Sequence, residues 1–259
     1  MTKIMKKTLA VVLAVFNEEA NLPKCLESIK NLADEIVIVD GGSTDKTVEI
    51  AKSFGAKIIE ANNPPIFHIN KNKAIDAATK DWILQLDADE KVSPQLAKEI
   101  EKVIQSPTSL DGYWIPRSNF FLGRFLKKGG QYPDYTLRFY RRGKGRLPAK
   151  DVHEQAIVEG QVGYLKSDLL HFRDLTLSKY LSGLDRYTNL IATQIKEEKG
   201  NDLWILLSYM FLRPIWWFLK TYLRHKGFVD SWQGLVFSFF SALRFPIAYV
   251  KYLKKGFRQ

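Results

Sequence analysis

The sequence predicts an α/β fold, a mostly parallel sheet flanked by helices, followed by a C-terminal amphipathic helical region. Three observations predict it. Short apolar, β-branched runs alternate with helix-like spacing between Leu9 and Leu86. The runs end in acidic or polar residues, as strands do when their carboxyl ends carry ligands. From Asp202 onward nine Lys or Arg stand against two Asp, interleaved with Trp204, Trp216, Trp217 and Trp232. On this basis residues 1–200 form the α/β domain and 201–259 a separate helical region.

Met1 to Thr8 is basic, and the apolar run Leu9–Phe16 stops at Asn17-Glu18-Glu19 without a small-residue cleavage site. It is expected to be the first strand, not a secretory signal. Leu22, Cys25, Leu26 and Ile29 recur at helical intervals, predicting a helix over Asn21–Ile29. Glu35–Asp40 is the second strand, ended by Asp40-Gly41-Gly42. A second helix is expected from Ser43 or Thr44 through about Phe54, with Thr44, Asp45 and Thr47 supplying capping chemistry. Lys57–Glu60 is a shorter strand and Trp82–Leu86 the next, ended by Asp87-Ala88-Asp89-Glu90. Carboxylates that close repel one another, so a positive charge belongs between them. Read singly, Asp40-Gly41-Gly42-Ser43 is also an ordinary turn, and Asp87–Glu90 an ordinary helix start.

Composition narrows the partners. A chain of 259 residues with 46% hydrophobic and 13% aromatic residues is not a disordered one, and its net charge of +11 points to an anionic partner. Nucleic acid, a membrane surface and a phosphorylated substrate all qualify, but no nucleic-acid-binding motif accompanies the charge. The single Cys25 excludes an internal disulfide and a cysteine zinc site, and fits a reducing compartment. No unbroken apolar run reaches the length of a spanning helix; Leu203–Leu223 comes nearest and is interrupted by Arg213-Pro214 and Lys220.

AVFNEEANLPKCLESI, IVIVDGGSTDKTVEIA and WILQLDADEKV occur together in this order. Together they resemble glycosyltransferase family 2, the nucleotide-sugar-dependent transferases with a GT-A fold, over residues 9–175. The lipopolysaccharide core β-glucosyltransferases are the most similar subgroup. The resemblance implies an inverting hexosyltransferase with a UDP-sugar donor and a divalent metal, Mg²⁺ or Mn²⁺. Two carboxylates at i and i+2 on a strand end can hold such a metal through oxygen and leave positions for diphosphate, which makes Asp89 the direct ligand. By resemblance, Asp87 lies near the donor ribose and the metal, and Asp40 accepts the uracil N–H while Gly41 lets the backbone approach. Phe16, Asn17 and Glu18 end the first strand beside the nucleotide; a helix N-cap followed by an acid is the other reading of Asn17-Glu18. Family members place a carboxylate base in the region of Lys150–Glu154, so Glu154 resembles the base, with Asp151 as the alternative. His171 resembles a late histidine that completes the metal shell, and His153 a neighbour that shapes the site. Lys127, Lys128, Arg138, Arg141, Arg142, Lys144 and Arg146 face only Asp134 within Gly123–Arg146. That stretch reads as a basic loop, solvated or closing over the diphosphate, with Arg138 in a phosphate or structural role.

Tryptophans interleaved with cations suit helices lying at headgroup depth on an anionic membrane, and a packed helical hairpin or dimer contact is the alternative. The resemblance then implies a lipid-linked saccharide acceptor, met by a peripheral protein at the cytoplasmic face of the inner membrane. One sugar per acceptor is expected, because the Q-x-x-R-W motif of the processive synthases is absent. A polyprenyl-phosphate sugar transferase shares the three strand-end motifs and differs in its acceptor, a phosphate that needs no base.

Overall fold

The computed structural model describes residues 7–150, 154–195 and 202–256. Two compact units are formed, Met1–Arg117 with Asp134–His171, and Ser118–Pro133 with Phe172–Gln259. The helical region expected from residue 201 lies wholly within the second.

In the first unit, β1 (Leu9–Val15), α1 (Leu22–Glu27), β2 (Glu35–Asp40), α2 (Thr47–Ser53), β3 (Lys57–Glu60), α3 (His68–Ala77) and β4 (Trp82–Gln85) follow the expected alternation. β1 pairs in parallel with both β2 and β4, and β2 with β3. Alternate side chains of a strand point to opposite faces. Leu9, Val11 and Leu13 therefore join Leu22, Cys25 and Leu26 of α1 in one core, while Ala10 and Val12 join Ala74 and Ile75 of α3 in another. Burial on both faces is why these strands read as continuous apolar runs.

The helices begin and end for local reasons. Pro23 sits in the first turn of α1, where its fixed φ costs nothing. The helix stops at Glu27, short of Ile29, although Ile29 stays buried in the same core. α2 starts at Thr47, later than Ser43 or Thr44. The Thr44 N–H donates to Asn17 Oδ1 at 2.8 Å, and Asp45 Oδ1 instead accepts the Thr47 N–H at 3.0 Å.

The chain continues through β5 (Glu90–Val92), α4 (Pro94–Gln105), β6 (Gly112–Phe121), β7 (Arg124–Phe125), β8 (Asp134–Arg141), β9 (Gly145–Arg146), β10 (Ile157–Val158), β11 (Val162–Tyr164) and β12 (Leu169–Asp174). The strand order is β3-β2-β1-β4-β8-β6-β12-β5. β8 runs antiparallel to β4 and β6, so the sheet is parallel from β3 to β4 and mixed beyond. Ser93 caps α4, its Oγ accepting the Leu96 N–H at 3.1 Å, and Leu96, Ile100 and Ile104 face the core. Half of Gly123–Arg146, expected as a loop, is strand. The alternating DYTLRFYR of β8 pairs on both sides, which places Arg138 and Arg141 within the sheet.

The second unit contains α5 (Leu177–Ile195), α6 (Asp202–Leu207), a π-helical turn Ser208–Leu212, α7 (Arg213–Phe218), a second π turn Leu219–Arg224, a 3₁₀ turn Gly227–Asp230 and α8 (Ser231–Gly256). Leu203–Leu223 is helical throughout, with Pro214 in the first turn of α7. Among the described residues, the helix with the length and composition to cross a membrane comes after it, over Gly227–Lys254, with a mean hydropathy of 1.2. Ser238, Ser241 and Arg244 interrupt its apolar residues, which is why no unbroken run reveals it. Ile195, Ile205, Tyr209, Ala248 and Tyr249 form a core of this unit. Buried Asp230 accepts the N–H groups of Lys127 at 3.0 Å and Lys128 at 2.7 Å, so that part of the basic stretch is tied down.

Candidate active site

The carboxyl ends of β1 and β2 carry two loops laced to each other. Asn17 takes a left-handed conformation, φ 54°, which asparagine tolerates better than most residues. Its N–H donates to Ser43 Oγ at 2.9 Å, and the Glu18 N–H donates to Thr47 Oγ1 at 2.7 Å. The Glu18 carboxylate accepts from Asn21 Nδ2 at 2.8 Å. Asp40 is buried and shapes its own turn: Oδ2 accepts the N–H groups of Gly42 at 3.0 Å and Ser43 at 2.9 Å, and Oδ1 accepts the Ser43 hydroxyl at 2.5 Å. A carboxylate has about four acceptor positions, so Asp40 retains capacity for a ligand donor. Gly41 lies against Asn63, where a Cβ would stand 3.2 Å from the Asn63 Cβ. Phe16, directly after β1, is exposed.

Past the end of β4, Asp87 meets two cations. Lys71 Nζ, from α3, lies 2.5 Å from Oδ1, and Arg138 Nη2, from β8, lies 2.7 Å from Oδ2. Glu90 is fully buried, accepts the Asp87 N–H at 2.9 Å, and stands 3.4 Å from both Arg138 and Arg117. Arg117 reaches on to Asp134 at 2.6 Å. The positive charge that these carboxylates demand is thus partly supplied by side chains, with Arg138 bridging Asp87 and Glu90. Burial alone would raise the Asp87 pKa, but Arg138 and then Lys71 hold it well below the usual carboxylate range. Burial works against Arg138 as well, yet Asp87 and Glu90 raise its pKa; at Lys71 burial prevails and lowers it. Beneath them, buried Cys25 places Sγ 3.6 Å from the Asp87 carbonyl oxygen. Burial, reinforced by Glu90, pushes the thiol pKa up, away from the reactive thiolate.

Lys71, Asp87, Arg117 and Arg138 share a cavity of about 230 Å³ with His68, Gln85, Thr136 and Glu154. Four buried atoms of its lining residues, His68 Nδ1, Gln85 Oε1, Thr136 Oγ1 and Arg138 Nη1, have no hydrogen-bond partner among the described residues. Buried polar atoms are nearly always partnered, so this group makes the cavity a candidate ligand site. The mixture is informative. Arg138 only donates, Gln85 Oε1 only accepts, and the Thr136 hydroxyl does both. A hydroxyl group both donates and accepts, so hydroxyls match this mixture better than a phosphate, which offers acceptors alone. Glu154 Oε2 lies 3.9 Å from His68 Nδ1 and accepts the Lys150 N–H at 2.8 Å. Burial and then Lys71 lower the His68 pKa, leaving the imidazole neutral at neutral pH.

Asp89 has a different partner, with Oδ2 3.5 Å from His171 Nε2. The antiparallel register of β12 on β5, which sets His171 opposite Glu90, brings the pair together. A carboxylate and an imidazole fit a divalent cation as two protein ligands. No group of three or more metal-ligating side chains occurs among the described residues, and both Asp87 oxygens are engaged by cations. Asp151 and His153 lie outside the described residues.

Sequence reading misses His68, Lys71, Gln85, Arg117 and Thr136. The available signal is the run Asn70-Lys71-Asn72, polar residues that are buried in a helix with no apolar stripe, and single cations inside otherwise apolar strands at Arg117 and Arg138.

The family model described as Glycosyl transferase family 2 matches residues 10–153. The lipopolysaccharide core biosynthesis glycosyltransferase LpsC of Rhizobium meliloti is 31% identical over 258 residues, covering 93% of each chain. An uncharacterized glycosyltransferase of Rickettsia typhi is 27% identical over 247 residues, covering 89% of this chain and 81% of that protein. Among solved structures, S. aureus TarS gives a TM-score of 0.50 at 16% identity, covering 86% of this chain and 45% of TarS. The chain therefore spans less than half of that protein, and the likeness bears on the GT-A fold alone.

Proposed function

This chain belongs to glycosyl transferase family 2, and on that premise we propose that it is an inverting, metal-dependent hexosyltransferase. It carries one hexose from a UDP-sugar to a lipid-linked saccharide in lipopolysaccharide core assembly, as a peripheral protein at the cytoplasmic face of the inner membrane. The observation that carries this reading is the cavity beside Asp87, whose four unpartnered atoms ask for hydroxyl groups in a space suited to one sugar ring. Similarity to LpsC supports the acceptor class. The exposed aromatic residues of the second unit support the membrane contact.

In this reading the laced loops after β1 and β2 seat the nucleoside, with Asp40 accepting the uracil N–H and Gly41 admitting the base. Asp89 and His171 would hold a divalent cation, which when bound would supply Lewis-acid stabilisation of the departing diphosphate. Lys71 and Arg138 fix Asp87 beside the ribose. Glu154, the base, takes the proton of the acceptor hydroxyl as that oxygen bonds to the anomeric carbon. The bond to the β-phosphate oxygen breaks on the opposite face, UDP leaves with the electron pair, and the configuration inverts. Neutral His68 next to Glu154 adds no second positive charge that would weaken the base.

A second reading, transfer to a polyprenyl phosphate, is favoured by Lys71, Arg117 and Arg138 around the cavity, which also suit an anionic acceptor. Glu154 would then be dispensable. The test of the main reading is calorimetric titration with UDP, with and without Mn²⁺, of the wild type and Asp89→Ala. Metal-dependent binding that the variant loses is the expected result. Unchanged affinity in the variant removes the metal assignment, and absence of UDP binding in both refutes the donor site.

A further inference from the structure

Leu207, Phe211, Ile215, Leu219 and Leu223 recur at every fourth position of the helical stretch Asp202–Arg224, and each is between 41% and 57% exposed. In a uniform α-helix a four-residue step overshoots a full turn by about 40°, so such a series winds around the rod. The two π turns, Ser208–Leu212 and Leu219–Arg224, hold more residues per turn and rotate the series back. Alternating α and π turns thus keep one apolar stripe on one face over the whole stretch, widened by exposed Trp204 and Trp216.

We propose that this stripe is the membrane-contacting face, and that Asp202–Arg224 lies flat in the interface of an anionic bilayer. The inference rests on the membrane reading proposed above and assigns it to particular residues. The charges select the bilayer as occupant. Asp202 is the only acid in the stretch, while Arg213, Lys220 and Arg224 are its cations. Lys220 Nζ rides over the rings of Trp216 at 4.7 Å and Trp217 at 5.0 Å. Aliphatic side chains in the acyl boundary, tryptophan at headgroup depth and cations on lipid phosphates are interfacial chemistry. The cores of protein interfaces are instead depleted of lysine.

The test is co-sedimentation of the full chain with vesicles of mixed phosphatidylglycerol and phosphatidylcholine, comparing wild type, F211E/I215E and K220Q/R224Q. Phe211, Ile215 and Arg224 are exposed and Lys220 is half-buried, and UDP titration of each variant checks its fold. F211E/I215E is expected to bind on the order of tenfold or more weakly. K220Q/R224Q should lose affinity for the anionic vesicles and not for phosphatidylcholine alone, and the wild-type affinity should fall with salt. Wild-type binding that F211E/I215E retains in full overturns the stripe and leaves the membrane reading intact. A wild type that ignores all vesicles overturns both, whatever the UDP titration gives. Resistance to alkaline carbonate extraction would mean insertion by the Gly227–Lys254 helix instead. A dimer that F211E/I215E converts to monomer without vesicles would make the stripe a protein contact, and either result overturns the proposal.

Discussion

Replacing Arg138 by Met should loosen the β4 end of the sheet by about 3–5 kcal/mol, the usual cost of breaking a buried ion pair from one side. The guanidinium is 8% exposed and sits 2.7 Å from Asp87 and 3.4 Å from fully buried Glu90. Methionine replaces the aliphatic stem but leaves Glu90 with Arg117 alone and Asp87 with Lys71 alone. Hydrogen exchange of the β4 amides measures the result directly: with about 1.4 kcal/mol per factor of ten, they should exchange roughly a hundred to several thousand times faster. Asp87→Asn has its own cost, because Lys71 and Arg138 then lose a shared partner. Since the two substitutions remove the same contact, R138M/D87N should fall short of their sum by about 1–3 kcal/mol. Exchange in R138M accelerated less than tenfold, or strict additivity in the double variant, would refute the view that Arg138 is the internal counter-charge of this acidic cluster.

Glu154→Gln should keep UDP binding and lower turnover by about two to four powers of ten, measured as UDP release with acceptor; near-normal turnover would favour a phosphate acceptor. Asp230→Ala leaves the Lys127 and Lys128 N–H groups without their buried acceptor. Trypsin should then cut after these lysines at least tenfold faster, in line with about 1.5–3 kcal/mol for hydrogen bonds to a charged group. A Cβ at Gly145 would stand 2.4 Å from the buried Tyr140 ring. Gly145→Ala should therefore cost about 1–3 kcal/mol, read as a lower thermal midpoint.

The strands β1, β2 and β4 are legible because burial on both faces writes itself into composition, and the acidic strand ends follow from them. Asp89 and His171, expected at one metal, do come together, although 82 positions separate them (171 minus 89). The start of α2 is not legible, since Asn17 claims the Thr44 N–H across 27 positions. Glu90 looks like a solvent-facing acid and is fully buried, because its partners Arg117 and Arg138 arrive from distant strands. Lys71 escapes notice for a related reason. A helix that turns polar groups toward a site loses the apolar periodicity by which helices are recognised. The rod Asp202–Arg224 reads as interrupted by Arg213-Pro214, whereas the backbone continues through it by changing its winding.

The stitching between the loops after β1 and β2 limits how either loop can be re-engineered. Asn17 with Ser43 and Thr44, and Glu18 with Thr47, are bonded across the two segments. Grafting either loop alone from a relative would strand polar groups in the other, at about 1–3 kcal/mol for each that is left buried. The two segments are a single exchangeable cassette, and libraries that vary positions 16–19 and 41–47 together should yield folded variants more often than libraries that vary either one.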